Sequence, residues 1–256
     1  NEQKNIVALT SLSADIINSL SNLSLVGIPG SSLLERNNDF VNKVVISSGR
    51  MPPDLEKIIK LNPDLVIGAK GFHDMTLNKL NNTGIKTISL KIRNFNDLEN
   101  FYRDMKKYLD IDSNNQLKDK LKNCYADTYA KDNLKKDKEI LLLVSSKPIL
   151  SPNSKSWAGN MLGRFNFQNL TAKLDAKSAF QGYTTLSPEW VVKTNPVNLI
   201  VINTPGNDIS QYENLNIWNN LNAVKRKKVY SFNYYGLINP GSLSSIDGAC
   251  KKLLGI

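Results

Sequence analysis

A repeated pair of glutamates is the first feature of this sequence that could do chemistry. The segment PPDLEKIIKLNPDLVIG at residues 52–68 returns as SPEWVVKTNPVNLIVIN at residues 187–203, which aligns Glu56 with Glu189 at an offset of 133 residues (189 − 56). Each segment has the pattern of a short amphipathic helix running into a buried strand. A carboxylate in the first helical turn is favoured by the helix dipole, and that position alone explains a single such glutamate. An offset near half the chain length predicts two lobes of like construction.

His73 is the single histidine of the chain, in the stretch GFHDMT. Three roles are open to it: ligand of an iron or corrin, hydrogen-bond donor to a bound molecule, or packing residue at a helix entrance. Asp74 is a candidate N-cap, which favours the third role. Adjacent His and Asp residues do not orient each other as a catalytic triad requires, and the sequence carries no GxSxG or Walker motif. We therefore predict no catalytic residues and no enzymatic activity.

Cys124 and Cys250 lie too far apart in sequence for a CxxC redox or zinc motif. A single disulfide in an exported protein and two buried free thiols are both compatible with this spacing.

The chain carries a net charge of +10, from 33 Lys and Arg against 23 Asp and Glu. Such a balance attracts anions at long range. The lysines are scattered, however, and no aromatic or zinc-finger pattern of nucleic-acid binding accompanies them. We expect mostly solvated lysines and no nucleic-acid partner, with an anionic ligand or wall surface as the alternative.

Strand and helix patterns alternate along the chain, which is typical of βαβ units with a parallel sheet. The alternation stops near residue 113, where a charged stretch with helical spacing begins, and restarts near residue 136. The predicted fold class is α/β, with two lobes of mainly parallel central sheets, one long connecting helix and a ligand cleft between the lobes. The predicted domains are an N-terminal lobe at 1–113, the connecting helix at 114–135 and a C-terminal lobe at 136–256.

Ligands of parallel α/β lobes bind beyond the carboxyl ends of the strands. In the first lobe this rule selects the predicted loops 10–13, 29–32, 48–51 and 69–74. In the second lobe it selects the predicted loops 145–157, 180–185, 203–208 and 233–236. They carry four aromatic residues, which suit a large, flat or apolar organic ligand unless they pack the loops themselves. These candidate ligand-binding residues are Trp157, Tyr183, Tyr234 and Tyr235.

Five segments in order resemble the helix-bridged class (class III, cluster A) of ABC-transporter substrate-binding proteins, which capture iron–siderophore complexes, haem or cobalamin. They are KNIVALTSLSADIINSL, LVGIPGSS, SSGRMPPDLEKIIKLNPDLVIG, SWAGNMLGRF and NIWNNLNAVKRKKVYSFN. The resemblance covers nearly the whole chain. It implies that Glu56 and Glu189, one on each lobe, dock onto basic residues of a permease dimer, where charge complementarity speeds encounter and fixes orientation.

Arg50 and Met51 match the segment where some haem-binding members of the family place an axial methionine. Those members take their second haem ligand from a histidine in the loop that here reads NTPGND. That histidine is missing, so the resemblance to the haem binders is incomplete. Arg50 is the stronger candidate for ligand contact, because a guanidinium pairs bidentately with carboxylate or catecholate oxygens.

The resemblance predicts a receptor of an ABC importer that captures an iron complex, either a ferric siderophore or haem. A cobalamin or corrinoid receptor and a binding module without transport are the alternatives. The partners would be a large organic or metal-chelate small molecule and the permease dimer. The protein itself would be a monomer without a cofactor of its own, and no metal would be held by the protein directly unless Met51 or His73 ligates iron. It would lie in the periplasm or be lipid-anchored outside the inner membrane, with its export segment outside this sequence.

Overall fold

The structure is a computed structural model that describes residues 3–48, 51–112, 116–126, 138–175, 181–205 and 207–256. The chain divides into two compact units. Unit 1 comprises residues 1–92, 96–119 and 241–243, and unit 2 comprises residues 93–95, 120–240 and 244–256. No helix among the described residues combines the length and hydropathy that a membrane crossing requires.

Unit 1 is built on a five-stranded parallel sheet in the order β3-β2-β1-β4-β5. Helices follow the strands along the chain, as the alternating pattern predicts. The elements are β1 (Ile6–Ala8), α1 (Ser11–Leu20), β2 (Leu25–Pro29), α2 (Ser32–Glu35), β3 (Val44–Ser47), α3 (Leu55–Lys60), β4 (Leu65–Ala69), α4 (Asp74–Asn82), β5 (Thr87–Leu90), α5 (Phe95–Tyr108) and α6 (Gln116–Lys120).

Unit 2 contains a four-stranded parallel sheet in the order β12-β11-β6-β9 and a three-stranded antiparallel sheet in the order β10-β8-β7. Its elements are β6 (Glu139–Leu143), β7 (Ser145–Ser146), β8 (Ile149–Pro152), α7 (Trp157–Arg164), β9 (Gln168–Asn169), β10 (Tyr183–Leu186), α8 (Pro188–Thr194), β11 (Asn198–Asn203), α9 (Ile209–Glu213), α10 (Asn222–Lys225), β12 (Val229–Asn233), α11 (Tyr234–Leu237) and α12 (Leu243–Leu254). The predicted α/β class with two parallel sheets is confirmed.

Each parallel sheet forms the centre of its own hydrophobic core. Central strands read as continuous apolar runs because helices cover them: β6 is EILLL and β11 is NLIVIN, and Ile140, Leu142, Ile200 and Ile202 are fully buried. In unit 1, Val7 and Val66 of the adjacent strands β1 and β4 pack with Ile58 of α3. Strands buried on both faces thus give each unit a rigid support for the loops that follow them.

The internal repeat is present in the structure as two equivalent helix–strand units. Helix α3 begins after the N-cap Asp54, and α8 begins after the N-cap Ser187, at the same offset. Both helices are followed by an asparagine in the left-handed conformation, Asn62 with φ 45° and Asn195 with φ 47°. Asparagine tolerates this conformation better than most residues, so the two repeat segments turn in the same way, one into β4 and the other into β11.

The segment predicted as one connecting helix, 114–135, is not a continuous helix where the structure describes it. Helix α6 ends at Lys120, and residues 121–126 form turns and a bend, while residues 127–135 lie outside the described residues. The carboxylate of Asp247 accepts hydrogen bonds from the backbone N–H and the side-chain amide of Asn123, at 2.8 and 2.6 Å. Cys124 is joined to Cys250 by a disulfide, with the Cα atoms 5.1 Å apart. These contacts with α12 replace the helical path.

Two predicted loops of unit 2 contain strands. Residues 149–152 form β8 and residues 183–186 form β10, which pair antiparallel with Leu186 opposite Ile149 and Tyr183 opposite Pro152. Each strand is four residues long, and the pairing joins segments that are distant in sequence, so neither strand produces a strong local pattern. The apolar positions Ile149 and Leu186 are nevertheless buried.

Candidate functional site

Three large apolar side chains are exposed after strands of unit 1, and we call them the apolar rim: Met51, Phe72 and Met75. Their exposed fractions are 66%, 74% and 73%. Met51 follows β3, and the other two follow β4, so all three come after the carboxyl ends of strands in one parallel sheet. This is where ligands of α/β sheets bind. The sequence analysis named Met51 as a candidate, but it did not single out Phe72, which lies in the predicted loop 69–74, or Met75, which directly follows that loop.

His73 lies inside unit 1, with only 5% of its surface exposed. Its imidazole Nδ1 accepts a hydrogen bond from the backbone N–H of Ala69 at 2.9 Å, and the backbone N–H of His73 donates to the Ala69 carbonyl at 2.8 Å. A Cβ on Gly68 would lie 2.8 Å from the His73 Cβ, so only glycine allows the imidazole to sit this close to β4. Burial lowers the pKa of His73, against an opposing effect of the Asp74 charge. This geometry favours the packing role among the three that the sequence left open.

Asp74 is the first residue of α4 and not its N-cap. The cap position is His73, whose side chain makes no capping hydrogen bond. Instead, the Asp74 carboxylate accepts the Gly71 N–H at 2.9 Å and the Ser89 hydroxyl at 3.0 Å. Asp74 therefore ties the loop that carries Phe72 to strand β5.

Tyr183, Tyr234 and Tyr235 form a cluster in unit 2, which we call the tyrosine cluster. The rings of Tyr234 and Tyr235 meet edge to face with centroids 5.4 Å apart. Burial is the main cause that raises the pKa of Tyr183, and the neighbouring Tyr234 raises it further. Burial also raises the pKa of Tyr234, with a smaller contribution from Tyr235. Both phenols stay neutral near pH 7 and keep their O–H for hydrogen bonding. Tyr235 is 40% exposed, so this ring is the most accessible of the three.

Trp157 is a core residue of unit 2 and not a loop residue. It opens α7, is 4% exposed and stacks on Phe95 with centroids 6.2 Å apart. Its indole N–H donates to the carbonyl of Gly236 at 2.9 Å. Gly236 has φ 98°, and a Cβ there would lie 2.1 Å from the Ser245 carbonyl oxygen. Trp157 thus holds the turn that presents Tyr235.

Glu56 and Glu189 occupy the same place on their two helices. Each is exposed and lies two residues after the N-cap, in the first turn of α3 or α8. The Glu189 backbone N–H and the Ser187 hydroxyl lower the pKa of Glu189. Neither glutamate forms an ion pair with another described residue. Both carboxylates thus face solvent at the amino end of their helix, outside any ion pair of the described residues.

Arg50 lies outside the described residues, so its contribution stays a prediction. Among the residues that the structure describes, no group of three or more His, Cys, Asp and Glu side chains could hold a metal ion.

The chain belongs to a family of binding proteins. A family model with the description "Periplasmic binding protein" matches residues 6–234. No curated protein sequence is significantly similar to the chain.

Solved structures share the fold over almost the full chain. A possible iron-binding (periplasmic solute-binding) protein from Staphylococcus epidermidis has a TM-score of 0.80 at 20% identity, covering 99% of this chain and 98% of its own. The haem complex of IsdE from Staphylococcus aureus has a TM-score of 0.72 at 16% identity, covering 100% and 98%. The periplasmic vitamin B12 binding protein BtuF of Vibrio cholerae has a TM-score of 0.70 at 16% identity, covering 98% and 95%. At these identities the likeness establishes the fold.

Proposed function

We propose that this protein is the extracytoplasmic receptor of an ABC importer and that it captures a ferric siderophore. The observation that carries the proposal is the pair of exposed carboxylates, Glu56 and Glu189, which occupy equivalent positions of the two units and form no ion pair with a described residue. Membership of the binding-protein family supports the receptor role. The Cys124–Cys250 disulfide supports a location outside the cytoplasm, because disulfides persist mainly in oxidising compartments.

A chelated ion suits the described side chains better than a bare one. A siderophore supplies all the oxygens that its iron needs, whereas the protein offers no cluster of metal ligands in its described part. The apolar rim and Tyr235 provide large exposed surfaces for an organic scaffold. Net positive charge favours the approach of an anionic chelate. Arg50 would then contact carboxylate or catecholate oxygens, as the sequence predicts.

Haem is less well supported than a siderophore. Met51 is exposed and could approach an iron, but His73 is buried with its Nδ1 already bonded to Ala69. A haem held by methionine and histidine together is therefore not favoured by this chain. Cobalamin remains the alternative ligand, since a vitamin B12 binding protein shares the fold.

Direct titration tests the ligand. Purified protein would be titrated with ferric catecholate and hydroxamate siderophores, haemin and cyanocobalamin, with tryptophan fluorescence and calorimetry as readouts. We expect a ferric siderophore to bind with Kd below about 10 μM, which corresponds to about −7 kcal/mol. Tight binding of cyanocobalamin alone would replace the siderophore by cobalamin, and no binding of any of the four would contradict the receptor proposal.

The apolar rim gives a sharper test of the same proposal. The double variant Phe72→Ala with Met75→Ala should weaken siderophore binding at least tenfold, equivalent to about 1.4 kcal/mol. Each apolar side chain contributes on the order of 1.5–3 kcal/mol when fully covered, so even partial coverage of the two by a ligand reaches that amount. Val41→Ala is the matched control, since Val41 is 69% exposed in the same unit but does not directly follow a strand. If the native protein, the double variant and the control bind the siderophore with equal affinity, the apolar rim is not part of the ligand site.

Docking is tested with charge-neutral variants of nearly the same shape. We expect Glu56→Gln with Glu189→Gln to bind ligand normally but to associate at least tenfold more slowly with the reconstituted permease from the same organism. The control pair Glu35→Gln and Glu213→Gln makes the same charge change on exposed glutamates, one in each unit. If the two pairs behave alike, the glutamates are first-turn helix residues and nothing more. Transport impaired by the docking pair, with ligand binding intact, would argue against a binding module without transport.

A further inference from the structure

Each repeat helix exposes one branched apolar side chain beside its glutamate. Ile59 of α3 is 47% exposed, and Val192 of α8 is 40% exposed. Each lies three residues after Glu56 or Glu189, and residues at i and i+3 are neighbours on a helix surface. The glutamate and the apolar residue therefore present one continuous small patch on each unit.

The two patches match at the glutamate, the two branched apolar residues and the lysine, although Lys57 of α3 aligns with Trp190 of α8. Ile58 directly precedes the exposed Ile59, and Val191 directly precedes the exposed Val192. Both Ile58 and Val191 are buried in the cores of their units. Lys60 and Lys193 follow the exposed pair, and both are exposed. Each unit thus shows the order glutamate, branched apolar residue, lysine on the solvent side of its helix.

Single exposed apolar residues are common and need no explanation. Two exposed apolar residues at the repeat offset do call for an explanation. Core packing accounts for the buried Ile58 and Val191, but it does not account for their exposed neighbours Ile59 and Val192. Among the large apolar side chains that are exposed in the described part of the chain, Ile59 and Val192 are the pair that the repeat relates. Their shared exposure points to a shared partner.

A partner that fits one patch will fit the other, so one partner with two copies of the same surface satisfies both. Closed two-fold symmetry is the commonest way for a protein assembly to present a surface twice. The carboxylates specify basic side chains on that surface, and the branched side chains specify an apolar recess next to each. We propose that Ile59 and Val192 each enter an apolar recess on one half of a two-fold permease, beside the basic residue that pairs with the glutamate. This inference rests on the proposed receptor function.

The two kinds of side chain act on different rates. Exposed charges at the edge of an interface mainly change the association rate and its salt dependence. Desolvated apolar contacts mainly change the dissociation rate, which carries most affinity differences among variants of one interface. Glu56 and Glu189 therefore govern encounter, and Ile59 and Val192 govern residence time.

The experiment compares Ile59→Ser, Val192→Ser and the double variant with the native protein. Binding to the permease from the same organism, reconstituted in lipid nanodiscs, is followed by biolayer interferometry at low and high salt. Each single variant should dissociate about tenfold faster, equivalent to about 1.4 kcal/mol, with association changed less than twofold. The double variant should dissociate about a hundredfold faster, because distant sites add.

Controls separate this inference from the docking proposal itself. Leu23→Ser with Leu254→Ser removes one exposed apolar side chain from each unit away from the repeat, and it should dissociate like the native protein. Faster dissociation of that control would mean that apolar surface acts generally, which overturns the inference. If the Ile59 and Val192 variants dissociate at the native rate while the glutamate variant associates slowly, the inference is overturned and the glutamate docking proposal stands. If neither set changes binding, the docking face as a whole is wrong.

Discussion

At the scale of single residues, buried polar groups and exposed apolar groups have separate tasks. His73 uses Nδ1 to accept the Ala69 N–H, and Trp157 uses its indole N–H to hold the Gly236 carbonyl. Both are therefore committed to the fold. Phe72 and Tyr235, which lie beside them, expose their rings. The buried partner of each pair positions a neighbour that can meet a ligand.

The buried imidazole predicts a pH effect on stability. Because the folded pKa of His73 lies below the usual 6.5, the unfolded chain takes up a proton first as the pH falls through about 6.5. His73 therefore reduces the free energy of unfolding between pH 6.5 and its lowered folded pKa, and it has no such effect above that window. Native protein should lose more stability than His73→Asn between pH 7.5 and 5.0, as measured by urea unfolding at each pH. The asparagine oxygen can still accept the Ala69 N–H. Parallel pH profiles would show that His73 titrates alike in both states.

At the scale of elements, helix α7 lies against the backbone that precedes it. The Asn153 carbonyl accepts hydrogen bonds from the N–H and the hydroxyl of Ser156. A Cβ on Gly159 would lie only 2.0 Å from that carbonyl oxygen, whereas a Cβ on Gly163, in the same helix, would meet no atom within 4 Å. One helix thus contains a glycine required by close packing and a glycine that is not.

These two glycines make a matched pair of variants. Gly159→Ala should lower the free energy of unfolding by about 1–3 kcal/mol, the usual cost of overpacking. Gly163→Ala should raise it by about 0.5–1 kcal/mol, because alanine loses less backbone entropy in a helix. All three tryptophans, Trp157, Trp190 and Trp218, belong to unit 2, so urea unfolding followed by their fluorescence reports on the correct unit. Effects of the same sign would contradict this account of α7.

The repeat elements were predictable from sequence because their signals are local. In the first repeat the helix begins after an N-cap residue at position 54, and an Asn-Pro pair at residues 62–63 separates it from the next strand. The second repeat has an N-cap residue at position 187 and an Asn-Pro pair at residues 195–196. Long-range contacts were not predictable in this way. The pairing of β8 with β10 and the burial of Trp157 depend on segments that are distant in sequence. The turn at Asn123 depends on Asp247. Local helical spacing therefore suggested a connecting helix that tertiary contacts interrupt.

At the scale of the whole molecule, a disulfide connects residues separated by 126 positions, both within unit 2. The sequence left open whether these cysteines were joined. Arg164 adds to the same region, since its Nε donates to the Cys124 carbonyl at 2.9 Å and its guanidinium lies over the Phe95 ring at 4.0 Å. Covalent and polar contacts thus fix the start of unit 2 against its last helix.

Removing this disulfide should destabilise unit 2. We expect Cys124→Ser with Cys250→Ser to lower the free energy of unfolding by about 2–4 kcal/mol, because a long loop is no longer closed in the unfolded chain. Tryptophan fluorescence in urea would measure the change, and native protein treated with a reductant should give the same curve as the double variant. Identical curves with and without reductant, in protein whose disulfide is verified by thiol labelling, would contradict the prediction.

The final segment of the chain completes both units. In unit 1, the Leu243 N–H donates to the Asp15 carboxylate at 2.7 Å. In unit 2, Ser245 packs against Gly236, Asp247 binds Asn123 and Cys250 forms the disulfide. A ribosome synthesises these residues after the elements that they contact. Neither unit can therefore complete these contacts until residues 243–250 have been made, so the two units wait for the same short segment.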